Sequence, residues 1–178
     1  LKPYNLDVAR VNVVNEYSPA LDPHDMSSGF PSPPDIALKR YLENRFKPSG
    51  VSGQVHFIIE ESRVHQREEG TTGTLQNLFG NPGREIFDVS VKLRFYREED
   101  GGQQSDHAIT TFNRTLSIPM SYSLNRKEKE KLLFLEEFID DVDKALIIAM
   151  ETNGIVSPLS QTGKPVRHSP VNLLSPPE

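Results

Sequence analysis

The stretch Phe87-Asp88-Val89-Ser90-Val91-Lys92-Leu93-Arg94-Phe95 decides the fold class. Every second residue is apolar and the residues between are polar or charged, the period of a strand with one buried and one wet face. Upstream, Val55, Phe57 and Ile59 alternate with His56, Ile58 and Glu60, and this strand can run on through Val64. Downstream, Arg97 to Gln104 contains Asp100-Gly101-Gly102 and reads as a hairpin turn. Ala108, Thr110, Phe112, Leu116 and Ile118 then form a returning strand, ended by Pro119. Three strands in a meander need one face covered.

Two segments can cover it. Ala37, Leu38, Tyr41, Leu42 and Phe46 lie on one face at helical spacing, opposite Lys39, Arg40, Glu43 and Asn44. Ser32-Pro33-Pro34-Asp35 predicts the start of this helix, with Ser32 as cap, Pro33 in the first turn and Asp35 completing a capping box. Lys47-Pro48-Ser49-Gly50 predicts its stop. The second helix opens at Asn125-Arg126-Lys127-Glu128 and runs to about Thr152, with Asn153-Gly154 as terminator. Leu132, Leu135, Ile139, Val142, Leu146 and Ala149 recur along it at spacings of three and four, and Leu133, Phe134, Phe138, Ala145 and Ile148 widen the stripe. At 1.5 Å per residue it is roughly 40 Å long, enough to cross a small sheet.

A first strand lies in Asn5 to Tyr17, where Leu6, Val8, Val11, Val13 and Val14 stand in near-alternation with polar residues, and a change of phase between Val8 and Val11 predicts a bulge or a two-sided position. The proline-rich Ser18 to Pro34 is a connector, because proline fixes φ and donates no hydrogen bond. The element order is β-α-β-β-β-α. The fold class is α+β, a two-layer sandwich of a four-stranded, mostly antiparallel sheet with two helices on one face. Residues 1–156 form one domain, and 157–178, with Pro158, Pro165, Pro170, Pro176 and Pro177, read as a C-terminal tail.

Composition narrows the chemistry. The chain has 178 residues, 35% apolar and 25% charged, with a net charge of -5. The negative balance argues against a general nucleic-acid binder. No run approaches the ~18 apolar residues of a membrane span. The absence of cysteine removes disulfides, thiolate zinc sites and thiol nucleophiles. Thr162-Gly163-Lys164-Pro165 fails as a phosphate loop, because Pro158 stands in place of the first glycine and Pro165 in place of the magnesium-binding hydroxyl residue. Gly50-Val51-Ser52-Gly53 is one residue short of a nucleophile elbow and precedes a strand. The histidines show no zinc-enzyme spacing; His56 and His65, nine apart, are expected on opposite faces of a regular strand. Glu60 and Glu61 are likewise expected on opposite faces, and Asp140, Asp141 and Asp143 on a solvated helix face. No catalytic, cofactor-binding or metal-binding residues are expected.

Candidate partner-binding residues are Leu75, Leu78 and Phe79 on the polar, glycine-rich stretch 68–85, and Arg126 and Lys127 at the start of the last helix. A long loop between strands is uncommon without a function. Its apolar middle reads as a docking tip or as a segment folded back on its own sheet. The basic residues read as solubilising Glu–Lys pairs or as a contact for an acidic partner or anionic head groups.

Phe30-Pro31-Ser32-Pro33-Pro34 leading into Ala37-Leu38-Lys39-Arg40-Tyr41-Leu42, Ser123-Leu124-Asn125-Arg126-Lys127-Glu128, and Val11-Asn12-Val13-Val14-Asn15-Glu16-Tyr17 resemble stretches of cell-envelope lipoproteins of Gram-negative, chiefly alphaproteobacterial, species. The element order is similar to that of the lipopolysaccharide-assembly lipoprotein and of the auxiliary lipoproteins of lipid-transport ABC systems. The resemblance spans about residues 5–150. It implies a non-catalytic accessory protein facing the periplasm, held at the outer membrane by an N-terminal lipid anchor that precedes Leu1, with an envelope protein or a lipid as partner. A cytosolic scaffold dimerising through the long helix is the alternative. A small-ligand binder or enzyme using His56, Glu60 and Arg94 is a second.

Overall fold

The computed structural model describes residues 2–19, 22–70, 83–105 and 107–155. It is an α+β sandwich. The strands are β1 (Tyr4–Leu6), β2 (Arg10–Asn15), β3 (Phe46–Pro48), β4 (Gln54–Glu69), β5 (Arg84–Glu98) and β6 (Ala108–Pro119), and the helices are α1 (Pro34–Arg45) and α2 (Leu124–Thr152). The main sheet has the order β2-β4-β5-β6, with β2 parallel to β4 and the remaining pairs antiparallel. A second, two-stranded parallel sheet joins β1 to β3. The phase change after Val8 is thus a break between two strands in two sheets, rather than a bulge. Gly50 lets them approach: a Cβ there would stand 2.6 Å from the Val8 backbone nitrogen.

The bulge of the fold lies in β4. Its register against β5 slips between Ile59 and Glu61. Upstream of the slip Val55, Phe57 and Ile59 face the helices; downstream Ser62 and Val64 do, opposite Val91 and Val89. One inserted residue resets the alternation, so the strand keeps its buried side inward from Val55 to Val64, and its last five residues are exposed. This corrects two expectations. His56 and His65 both fall on the open face, opposite Tyr96 and Asp88. Glu60 and Glu61 also share that face, with Glu61 opposite Lys92 and Glu60 bonded to both Lys92 and Arg94.

The helices cover the other face. Leu38 and Leu42 of α1, and Leu135, Phe138, Val142, Leu146 and Met150 of α2, are buried against Phe57, Phe87, Val91, Leu93 and Phe95. Each such side chain removed from water contributes roughly 1.5–3 kcal/mol. The α2 stripe is narrower than its sequence predicts, because Leu133 lies opposite buried Val142 around the helix and Ile148 lies beside Glu137 and Asp141 on the flank away from α1. Leu132, Leu133 and Ile148 remain exposed.

The helix starts also differ from expectation. α1 is preceded by Pro33, without a side-chain cap, and Asp35 accepts a bond from Asn15 at 2.8 Å, tying α1 to β2. α2 begins at Leu124 after Ser123, and the Ser123 carbonyl accepts the Lys127 N–H at 3.0 Å. The connector before α1 is fastened to the stretch of β4 that outruns β2. Met26 N–H bonds the Val64 carbonyl at 2.8 Å, and the Asp25 carboxylate accepts from Val64 N–H at 2.9 Å. The tail from residue 156 and the arm 71–82 lie outside the described residues.

Asp143 is a correction with structural weight. It is buried rather than solvated, and it bridges the two helices. Tyr41 Oη donates to Asp143 Oδ1 at 2.6 Å, Arg45 Nε to the same oxygen at 2.6 Å, and Arg45 Nη2 to Oδ2 at 3.2 Å. Burial pushes the carboxyl up, but the bonds from Arg45 and Tyr41 outweigh it and hold Asp143 below its ordinary 3.8. Burial, with the bond to Asp143, pushes the Tyr41 phenol well up.

A folded-state value below the unfolded one means that this contribution is complete above the unfolded value and disappears as pH falls through the folded one. Wild-type stability is therefore expected to drop on acidification below about pH 4, whereas Asp143→Asn, weaker at neutral pH, shows a flatter profile. Arg45→Met strands a buried charge and costs about 3 kcal/mol, against about 1 kcal/mol for Tyr41→Phe. Urea unfolding at neutral pH and at pH 3 checks all three variants.

Candidate functional site

The two basic candidates, Arg126 and Lys127, sit in the first turns of α2, over the end of the sheet where β4 stops at Glu69 and β5 starts at Arg84. Lys127 Nζ lies 2.7 Å from Glu85 Oε1, and both side chains are half-buried. Arg126 is exposed. Its guanidinium lies 3.7 Å from the Tyr122 ring centroid and donates from Nη2 to Tyr122 Oη at 2.9 Å. A guanidinium laid on a ring loses little further freedom on binding, and the donors not facing the ring form a fork suited to a carboxylate or phosphate. Leu75, Leu78 and Phe79 belong to the segment that joins β4 to β5 at this same end, and they lie outside the described residues.

Further residues complete the corner. Lys131, one turn beyond Lys127, donates to the Gly29 carbonyl at 2.7 Å and stands 4.5 Å from the Phe87 centroid and 5.3 Å from that of Phe30. Burial against these rings pushes its ammonium down, partly offset by the charge of Glu85. Phe30 meets Phe87 edge-on at 5.6 Å, so the connector, β5 and α2 are locked together beneath the corner. Above it, Leu124 is 74% exposed on the first residue of α2. The corner is thus an exposed leucine beside a ring-supported guanidinium, on a rigid base. Tyr122 carries no motif. The one local signal is Tyr122 four residues ahead of Arg126, a helical spacing that continues across the helix start.

The open face of the sheet is a lattice of paired charges. Glu60 accepts from Arg94 at 2.6 Å and Lys92 at 2.9 Å, and the bond from Lys92, the largest influence, holds its carboxyl below the ordinary range. Asp88 accepts from Thr115 at 2.6 Å and Arg67 at 3.2 Å and is lowered in turn, chiefly by Thr115. His56 stacks on Tyr96 at 4.6 Å and Tyr96 on His107 at 4.3 Å, a row of three rings across β4, β5 and the entry to β6. Glu98 Oε2 lies 3.3 Å from His56 Nε2. Of the conjectured trio, the structure joins Glu60 to Arg94 and turns His56 to Tyr96 and Glu98. Two surface clefts are lined elsewhere, one by Val11, Glu43, Phe46 and Pro48, the other by Arg10, Gln54, Glu98 and Asp100. Among the described residues no cluster of three potential metal ligands occurs, and no helix is long and apolar enough to cross a membrane.

No family model matches the chain, and no curated protein matches it. Among solved structures, the chain is similar to a crystal structure of a minor lipoprotein from Acinetobacter baumannii, at 16% identity and a TM-score of 0.41, over 84% of this chain and 93% of that one. Values of this size carry no argument about function.

Leu124 and Arg126 meet solvent rather than the core, so their removal should leave the fold alone. Leu124→Asp and Arg126→Ala are expected to change unfolding free energy by less than about 0.5 kcal/mol each, whereas Phe87→Ala beneath them costs about 3 kcal/mol or more. Denaturant unfolding of the three variants checks the contrast.

Proposed function

We propose that the chain is a non-catalytic accessory lipoprotein of the Gram-negative envelope, held by an N-terminal lipid anchor at the periplasmic side of the outer membrane, and that it docks an envelope protein through the α2 corner. The observation that carries the docking reading is Leu124, 74% exposed, two residues from Arg126, whose guanidinium is held 3.7 Å from the Tyr122 ring centroid. Arginine and tyrosine are among the residue types that dominate protein contacts once desolvated, and Leu124 adds apolar area beside them. Among the described residues the charges of the open sheet face are largely satisfied within the chain, whereas Leu124 and the outer donors of Arg126 remain free for new contacts. The envelope setting and the anchor are supported by the resemblance of Val11–Tyr17, Phe30–Leu42 and Ser123–Glu128 to envelope lipoproteins.

Two measurements test the two halves of this reading. A photo-crosslinking amino acid at Leu124, in cells expressing the whole gene product, is expected to capture one discrete envelope protein, and Arg126→Ala is expected to weaken the adduct. A probe at exposed Val51, on the turn before β4, should capture nothing. Equal labelling at both positions would refute a docking corner. Palmitate labelling of the same protein, expected to be positive, decides the anchor separately; an unlabelled product found free of the membrane would remove the lipoprotein reading.

A further inference from the structure

We infer that the outer edge of β6 is a self-association surface, pairing antiparallel with β6 of a second copy about a two-fold axis at Asn113. The β5–β6 register is unbroken from Arg84 opposite Pro119 to Phe95 opposite Ala108. Just beyond it, Met120 N–H bonds the Gly83 carbonyl directly opposite at 2.7 Å. Opposed residues in an antiparallel ladder alternate between pairs that exchange both bonds and pairs that exchange none. Working back from Met120, residues Ile118, Leu116, Arg114, Phe112 and Thr110 turn their backbone groups to β5. Ile109, Thr111, Asn113, Thr115 and Ser117 turn theirs outward. Thr115 Oγ1 reaching Asp88, its opposite residue, at 2.6 Å fits the closer approach of a non-bonded pair. Among the described residues, the one bond made to these outward groups runs from Arg84 Nη2 to the Ser117 carbonyl.

Exposed edges of this length are ordinarily guarded by lysines, inner prolines, bulges or brevity. β6 has twelve residues, no bulge against β5, its proline at the last position, and a single charged side chain, Arg114. That guanidinium is already held by Asp141 at 2.8 Å and Glu137 at 2.5 Å on the helix side. The opposite edge, β2, has six residues.

Every two-fold register of β6 sets outward groups against outward groups, and the one centred on Asn113 leaves Arg114 facing an aromatic ring rather than its own copy. Centring on Asn113 sets Ile109 against Ser117 of the second copy, Thr111 against Thr115, and Asn113 against itself. Small polar side chains then meet on the open face without like charges opposed, and Phe112 meets Arg114 across the join on the helix face. A second observation supports the same occupant. At 100° per residue, Ile148 falls between Glu137 and Asp141, the α2 residues that hold Arg114 of β6, so it flanks the β6 edge, 63% exposed. A joined eight-stranded sheet would bring the two α2 flanks together and cover them. Strand pairing alone buries less than the ~800 Å² per partner of a stable interface, so the association is expected to be weak and reversible.

Sedimentation velocity over a dilution series, with circular dichroism to verify folding, tests this. The wild type is expected to dimerise reversibly and to approach full dimer at millimolar concentration. Asn113→Pro deletes an outward N–H, spares the ladder to β5, and should weaken association by ~10-fold or more in a folded protein. Asn113→Lys opposes two ammonium groups at the axis and should also be monomeric, and mixing it with Asn113→Asp should restore a dimer. A register that separates residue 113 from its copy by more than a diagonal pair predicts no such rescue. A wild type that stays monomeric at millimolar concentration overturns the proposal. So does a dimer indifferent to Asn113→Pro and Asn113→Lys, or a Lys/Asp mixture that fails to associate.

Discussion

Side-chain alternation along β4 and β5 is the constraint on which the rest of this structure depends. A strand can present apolar groups to one layer only while its two-residue period stays in phase with its neighbour. β4 has sixteen residues and would drift out of phase with its own pattern after Ile59, because the next inward side chains stand at Ser62 and Val64. The extra residue at the Glu60 step absorbs the mismatch. It also delivers Glu60 and Glu61 to the same face, where Glu60 gathers Lys92 and Arg94. One backbone irregularity therefore sets both the continuity of the core and the charge pairing of the open face.

The helices are held to that core by apolar burial, and their relative position is set by polar chemistry. A carboxylate sealed between two helices is favourable only when its oxygens are bonded, and Asp143 receives three donor contacts from Tyr41 and Arg45. Both partners come from the last two turns of α1, immediately before Phe46 enters β3. The bridge thus links the α1–α2 crossing to the small β1–β3 sheet. On the far flank of α2, Glu137 and Asp141 hold Arg114 of β6, so the long helix is registered against the fold on both sides by ion pairs.

These fastenings leave two kinds of surface unspent. The corner at the α2 start offers Leu124 and the Tyr122–Arg126 stack, and the β6 edge offers backbone groups. They lie on different elements and suit different chemistry: side-chain recognition of a partner in one case, backbone pairing with an identical strand in the other.

How much was legible in the chain before folding follows from the range of each interaction. The alternation of Phe87–Phe95, the 3–4 spacing from Leu132 to Ala149, and the Asp100-Gly101-Gly102 turn are local signals. They determined the strands, the long helix, the hairpin and the α+β class. Arg126 and Lys127 were recognisable as a basic cluster, but Lys127 was spoken for by Glu85, 42 residues away, which no local pattern records. The bulge, the burial of Asp143, the second small sheet and the outward parity of β6 were decided by tertiary structure alone. Each depends on which residue comes to lie opposite which across a distance of many residues. That opposition is settled by packing the whole apolar face at once, while a sequence window sees only its own period.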